Sequence, residues 1–158
     1  MASTRAKLVS LEAAVAWRRG AGTLVFSNGV FDLLHPGHVE YLEAARDLGD
    51  HLLVALNTDR SARLLEKGGE RPVAGEQARA RVLAGLAAVD RVVLFDDPTP
   101  ERLIAALTPD VLVKGGDYAD KPMVGAELVE ARGGRIVLIP FLEGYSTTAL
   151  VERCRAAT

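Results

Sequence analysis

Short apolar runs rich in Val, Ile and Leu recur along the chain, each followed by a stretch whose apolar positions have helical spacing. The runs are Thr23 to Ser27, His51 to Asn57, Arg91 to Phe95, Asp110 to Val113 and Arg135 to Ile139. Because they are apolar throughout rather than at alternate positions, they predict strands buried on both faces. Amphipathic stretches at His38 to Leu48, Glu76 to Ala87, Pro100 to Leu107 and Met123 to Ala131, and a last one starting at Thr147, predict the helices. Strand and helix alternate, which predicts an α/β fold: a doubly wound, five-stranded parallel sheet with helices on both faces, in a single domain. Residues 1–22 are read as a leading helix, Leu11 to Arg19, packed outside the core and ended by Gly20 and Gly22; residues 23–158 are the α/β core. Ligands of such sheets bind beyond the carboxyl ends of the strands at a switch point, so the loops there are the expected site.

Composition narrows the function. Of 158 residues, 49% are apolar and 25% charged, which suits one globular domain with a full core. The net charge is −2 with both signs mixed along the chain, so there is no basic stripe for a nucleic-acid backbone and no nucleic-acid partner is expected. The single cysteine, Cys154, is read as incidental and allows no intrachain disulfide, which fits a reducing compartment. Arg5 and Lys7 are followed by Glu12, Trp17, Arg18 and Arg19, leaving no apolar signal core. No run is long enough to span a membrane, so a cytoplasmic location without a membrane partner is expected.

The segment Ser27-Asn28-Gly29-Val30-Phe31-Asp32-Leu33-Leu34-His35-Pro36-Gly37-His38 leaves the first strand and opens the next helix. Pro36 suits a first helical turn, Gly37 has no side chain to block a ligand, and the helix N-terminus offers N–H groups and a positive dipole end to phosphate. His35 and His38 can both face one ligand and donate hydrogen bonds to phosphoryl oxygens. A pair of capping or core histidines is the structural alternative. A metal site is the third, but only His51 remains as a further histidine, itself read as structural, and no cysteine lies near, so no metal ligands are assigned.

Glu143-Gly144-Tyr145-Ser146-Thr147-Thr148 follows the fifth strand and precedes the last helix. Ser146 or Thr147 can cap that helix, and Ser146, Thr147 and Thr148 with the N–H groups there can hold the β- and γ-phosphates of a nucleotide; plain capping accounts for the pattern equally well. A loop at Glu66 to Gly75 carries Lys67 and Arg71 among Gly68, Gly69, Pro72 and Gly75. Lys67, Arg71, Arg79 and Lys114 all fall near predicted loops or helix starts, with surface solvation as the alternative for each. Lys114 ends an apolar strand and enters Gly115-Gly116-Asp117-Tyr118, where the glycines permit close approach of backbone to ligand and Asp117 and Tyr118 can contact a ribose or base.

The His35-Pro36-Gly37-His38 sequence after a first strand resembles the His-x-Gly-His mark of the Rossmann-like nucleotidyltransferase superfamily. From Leu8 to Arg153 the chain is similar to the adenylyltransferase domain of bacterial ADP-heptose synthases, through the Ser27 to Asp32 segment, Lys67-Gly68-Gly69-Glu70-Arg71-Pro72-Val73, Leu112 to Tyr118, and Pro140 to Thr148. Cytidylyltransferases for glycerol phosphate usually carry an arginine where this chain has Phe141. Val30 and Tyr145 stand where the adenylyltransferase domain of ADP-heptose synthases commonly has cysteine, and Pro36 where it often has alanine.

The resemblance implies transfer of AMP from ATP to D-glycero-D-manno-heptose 1-phosphate, giving ADP-heptose and pyrophosphate for lipopolysaccharide precursors, by a stand-alone form without the sugar kinase domain often fused to it. It implies that His35, His38, Lys67 and Arg79 act on the phosphates. Asn28, Gly29, Phe31, Asp32, Gly37, Lys114, Gly116, Asp117, Tyr118 and Ser146 to Thr148 would bind the nucleotide, and Arg71 the acceptor. Mg2+ would enter with ATP, held mainly by the phosphates, with Asp32 orienting it or a histidine; a loop-capping aspartate is the alternative for Asp32. Small domains of this kind often form symmetric dimers, so a homodimer is an expected assembly. Two other functions stay open, a cytidylyltransferase for an alcohol phosphate and a non-catalytic nucleotide-binding module.

Overall fold

Side chains of a strand alternate between the two faces of its sheet, and in β2 (His51–Asn57) both sets are buried. Leu52, Val54 and Leu56 enter one core with Val25, Val92, Val111 and Val113, while Leu53 and Ala55 enter a second with Leu24, Phe26, Val93 and Leu112. Burial of this kind requires a helical layer on each face. The computed structural model of the chain, which describes residues 1–65, 70–116 and 121–158, has both layers. Against the first core lie α2 (Pro36–Arg46), through Leu42 and Ala45, and α4 (Glu76–Gly85), through Ala80, Leu83 and Ala84. Against the second lie α1 (Leu11–Arg18), through Ala14, α5 (Glu101–Leu107), through Leu103, Ile104 and Leu107, and α6 (Ala126–Glu130), through Val129. The leading helix was expected outside the core; instead Ala14 is fully buried, because its small side chain lets α1 sit close against the sheet.

With β1 (Leu24–Gly29), β3 (Arg91–Phe95), β4 (Val111–Gly115) and β5 (Arg135–Ile139), the sheet has the order β3-β2-β1-β4-β5, and every neighbouring pair is parallel. The chain winds from β1 through β3 on one side, then crosses to β4 on the other, which makes the β1/β4 boundary the switch point. At the amino-terminal edge, aspartates placed just before strands staple their neighbours. Asp50 accepts from Thr23 N at 2.8 Å, Asp90 from Leu52 N at 2.8 Å and Asp110 from Leu24 N at 2.7 Å. Asp110 also takes the Arg18 guanidinium at 2.8 Å, tying α1 to the same edge.

The carboxyl-terminal edge is the opposite. The β1–β4 ladder pairs Val25 with Val111 and Phe26 with Leu112 and goes no further, although β1 stays paired to β2 as far as Gly29 and β4 to β5 as far as Gly115. The two strands splay, and a crevice opens between them. The last helix, α7 (Thr147–Ala156), starts beside it. A short helix that the sequence pattern did not predict, α3 (Asp59–Arg63), begins after β2, with the Thr58 hydroxyl accepting from Ser61 N. It is too short to display an apolar stripe. Among the described residues no helix is long and apolar enough to cross a membrane.

Because Leu53 lies fully buried in the middle of the second core, Leu53→Ala should lower the unfolding free energy by about 2–5 kcal/mol. Urea denaturation checks this, with a midpoint shift at unchanged slope as the expected form.

Candidate active site

The crevice at the β1/β4 boundary is a cavity of about 480 Å³, within the size range of small-molecule sites. Its walls come from the ends of the splayed strands, the β1–α2 loop, the first turns of α2 and α7, and the chain around Arg71 and Pro72. The strand ends that no longer pair need other partners for their buried carbonyls. Tyr41 of α2 donates its hydroxyl to Val113 O at 3.2 Å and shares a 2.7 Å bond with the Ser27 hydroxyl, while Lys114 Nζ donates to Asn28 O at 3.3 Å. Asn28 Oδ1 is buried in this wall with no hydrogen-bond partner among the described residues.

The β1–α2 loop turns sharply, with Phe31 at φ 48° and Leu33 at φ 47°, both in the left-handed region that disfavours side chains. Three elements hold it there. Asp32, between them and buried, accepts from Val73 N at 2.7 Å and Ala74 N at 2.9 Å through its two carboxylate oxygens. The Thr147 hydroxyl at the start of α7 donates to Asp32 O at 2.8 Å, and Arg79 of α4 donates to Val30 O at 2.7 Å.

The loop delivers His35 to the N-cap of α2, where its side chain makes no capping bond, with Pro36 following at the first helical position. His38, one turn on, stacks against His35 with ring centroids 3.9 Å apart and planes at 23°, and lies tilted against Phe31 at 5.4 Å and 56°. Burial holds the His35 imidazole below the ordinary histidine range, which favours the neutral ring. Gly37 serves this stack. A Cβ there would lie 2.9 Å from His35 Cε1, so the missing side chain makes room for the imidazole.

Of the residues singled out from the sequence, Asn28, Gly29, Phe31, Asp32, His35, Gly37, His38, Arg71, Lys114, Ser146, Thr147 and Thr148 all line this cavity. Lys67, Asp117 and Tyr118 lie outside the described residues. Four expectations need correction. Arg79 is not at the cavity: its side chain is 1% exposed, pairs with Asp59 at 2.7 Å and donates to Ala74 O, Val30 O and Asn57 O, so it braces loops instead of facing phosphate. Asp32 has both carboxylate oxygens engaged by backbone N–H groups, which makes it the loop clamp and not an orienting group for a metal or histidine. Thr147 lines the cavity, but its one hydroxyl hydrogen goes to Asp32 O, so it has none to donate to a phosphate. Gly116 is absent from the lining; a Cβ on it would be 3.3 Å from Pro140 Cα, so it spaces two strand exits. Ser146 caps α7 by accepting from Ala149 N at 3.0 Å, and Thr148 accepts from Arg71 at 3.2 Å, so each keeps its hydroxyl hydrogen to donate. Tyr41 was missed, although it lies one turn beyond His38 on the same helix and that spacing could have revealed it.

The sequence matches the cytidylyltransferase-like family over residues 26–153, the stretch that contains the whole cavity wall. The chain belongs to that family. Relatives of this cytidylyltransferase-like chain include the bifunctional protein HldE of Koribacter versatilis (strain Ellin345), 57% identical over 150 residues, which are 95% of this chain and 30% of the relative. The HldE of Hyphomonas neptunium (strain ATCC 15444) is 52% identical over 153 residues, 94% of this chain and 31% of the relative. The chain therefore spans just under a third of the length of these relatives. Among solved structures, the lipopolysaccharide core biosynthesis protein from Thermoplasma volcanium GSS1 superposes with a TM-score of 0.62 at 28% identity, over 79% of this chain and 99% of that one. Pantothenate synthetase from Thermus thermophilus shares the fold, with a TM-score of 0.57 at 18% identity over 86% of this chain and 62% of the other.

Two outcomes test this geometry. Asn in place of Asp32 can accept only one of the two N–H bonds, so Asp32→Asn should destabilise the protein by about 1–3 kcal/mol in denaturant melts. The neutral His35 ring contributes stability in full above the unfolded-state pKa, and this is lost as the pH falls toward the depressed folded-state value. NMR titration of the ligand-free protein should therefore place the His35 midpoint below that of a peptide histidine, and His35→Gln should weaken the fall in stability across that acidic window.

Proposed function

We propose that this chain is an adenylyltransferase that moves AMP from ATP to D-glycero-D-manno-heptose 1-phosphate, forming ADP-heptose and pyrophosphate in the cytoplasm. The observation that carries this reading is the convergence of two helix N-termini on one cavity, α2 with His35 and His38 and α7 with Ser146 and Thr148, with Arg71 beside them. That is an arrangement for a polyphosphate. The motifs shared with the adenylyltransferase domain of ADP-heptose synthases supply the acceptor. The relatives are named as bifunctional, and with just under a third of their length matched, this chain would carry one of two activities. The Thermoplasma volcanium protein, named for lipopolysaccharide core biosynthesis, points the same way.

A sugar phosphate is largely ionised at neutral pH, so its oxygen attacks the α-phosphorus without a general base. A new bond forms from the acceptor phosphate oxygen to the α-phosphorus, the bond from that phosphorus to the α–β bridging oxygen breaks, and its electron pair leaves with pyrophosphate. In this reading the His35 and His38 N–H groups donate to the triphosphate, and the Ser146 and Thr148 hydroxyls hold its β- and γ-phosphates. Arg71 binds the acceptor phosphate, and the unpaired Asn28 Oδ1 takes a donor from the nucleoside. Lys67 is carried as a further phosphate ligand on the sequence resemblance. With both Asp32 oxygens engaged, a Mg2+ ion entering on ATP would be held chiefly by the phosphates, and it would neutralise charge on the transferring group and on the leaving pyrophosphate. The chain's own part is alignment and the placement of donors where charge develops.

Magnesium-dependent pyrophosphate release tests the reading, with ATP, CTP and GTP each offered both anomers of the heptose 1-phosphate and glycerol 3-phosphate. Release confined to ATP with a heptose phosphate is expected; release with CTP and an alcohol phosphate instead would overturn the acceptor and the base together. His38→Ala should lower turnover by about a hundredfold or more with an unchanged unfolding midpoint, and near-normal turnover in that variant would remove His38 from the chemistry.

A further inference from the structure

We propose that Phe141, seated on Gly115, is the platform on which the nucleobase of the donor stacks, and that this ring favours a purine. The inference rests on the nucleotidyltransferase reading above and adds where the base lies. Phe141 follows β5 and lines the cavity, yet it is 61% exposed, so core packing does not account for a large aromatic ring at this place. Its seat is built for it. A Cβ on Gly115, at the end of β4, would lie 2.4 Å from Phe141 Cε1 and 2.5 Å from Cζ, so only glycine lets the ring edge rest on the strand end. Leu142, also exposed and also in the lining, extends this apolar wall.

The cavity lining thus combines two kinds of group: imidazoles, hydroxyls and Arg71, with Phe31 and Tyr145 packed against the histidines, and a phenyl ring at the exit of the edge strand that rests on Gly115. A nucleoside triphosphate has the same division, a polyanion at one end and a flat ring with an apolar face at the other. Stacking is nearly indifferent to hydrogen-bond pattern but grows with ring overlap, so a neutral phenyl face suits the larger purine.

Equilibrium binding of Mg·ATP, Mg·CTP and Mg·tripolyphosphate to the wild-type chain and to Phe141→Ala, Phe141→Leu and Phe141→Trp tests the assignment. Loss of the ring in the Ala and Leu variants should weaken ATP by about tenfold, in the range for removal of one base-stacking aromatic, with a smaller change for CTP and none for tripolyphosphate. Phe141→Trp should bind ATP at least as well as wild type, with indole fluorescence quenched by ATP and not by tripolyphosphate. Unchanged ATP affinity in the Ala variant would overturn the platform, and equal losses for ATP and tripolyphosphate would reassign Phe141 to supporting the α7 turn. A change in the concentration dependence of the molecular mass, with nucleotide affinity intact, would reassign it to a protein contact. The proposed reaction fails separately, by absence of pyrophosphate release from wild type, whereas a wild type that binds tripolyphosphate as tightly as ATP refutes the platform alone.

Discussion

The site depends on an interruption of hydrogen bonding between two neighbouring strands. β1 and β4 pair through Phe26 and Leu112 and then part, while each remains paired on its other side. A parallel sheet would otherwise continue its ladder to the end and leave no room for a ligand. Parting leaves buried carbonyls at Asn28 and Val113 that would each cost about 1–3 kcal/mol unpaired. Lys114 and Tyr41 satisfy them. Both of these residues line the cavity, so the groups that make the opening stable also form its surface. The opposite edge shows the contrast, since there Asp110 bonds Leu24 N and Arg18 and keeps β1 and β4 together.

The second requirement is a loop that would not hold its shape alone. Phe31 and Leu33 sit in left-handed conformations, each costing about 1–2 kcal/mol. Hydrogen bonds to charged groups contribute roughly 1.5–3 kcal/mol each, and this loop has the Asp32 carboxylate with two of them and the Arg79 guanidinium with another. The balance favours the strained form. Because the partners are Val73, Ala74, Arg79 and Thr147, the loop that carries His35 and His38 is also the joint between α4, α7 and the chain beside Arg71. Cavity-lining groups from distant parts of the sequence are thereby held in one frame.

That joint marks the boundary of what could be read from the sequence. β2, β3 and β5 have the residue ranges their apolar runs predict. Burial on both faces leaves that signal in β2 and β3, whereas β5, at the sheet edge, has an apolar sequence but no fully buried residue, against the expectation of burial on both faces. The His-Pro-Gly-His segment was legible for a similar reason, since proline and glycine at a helix start have local causes. Arg79 was misread as a phosphate ligand because a cation near a loop has the same appearance in a sequence whether it faces solvent, phosphate or a buried carboxylate. Its partners, Val30, Asn57, Ala74 and Asp59, are assembled only by the fold. Asp32 and Thr147 went the same way: their side chains cap backbone groups of segments remote in sequence. Gly37 was legible as a glycine kept small beside a ligand, but its contact with His35, which also requires a glycine, is made only by the fold.

With Arg79 paired to Asp59, the cavity proposed as a phosphate site would bind anions mostly without net charge. Among the described residues its cations are Arg71 and Lys114; the other donors are imidazole, hydroxyl and helix N-termini. The rings of His35 and His38 stack at 3.9 Å, and burial pushes the His35 pKa down, so His35 offers an N–H group more than charge. Such donors are directional and fixed in place before the ligand arrives, which stabilises charge developing on a transferring phosphoryl group at little reorganisation. A set of full positive charges would instead hold the starting triphosphate and the departing pyrophosphate tightly, and binding ground state and transition state alike does not speed the chemical step. For the proposed reaction, which exchanges one polyanion for two, dipoles and imidazole N–H groups would allow both transfer and release.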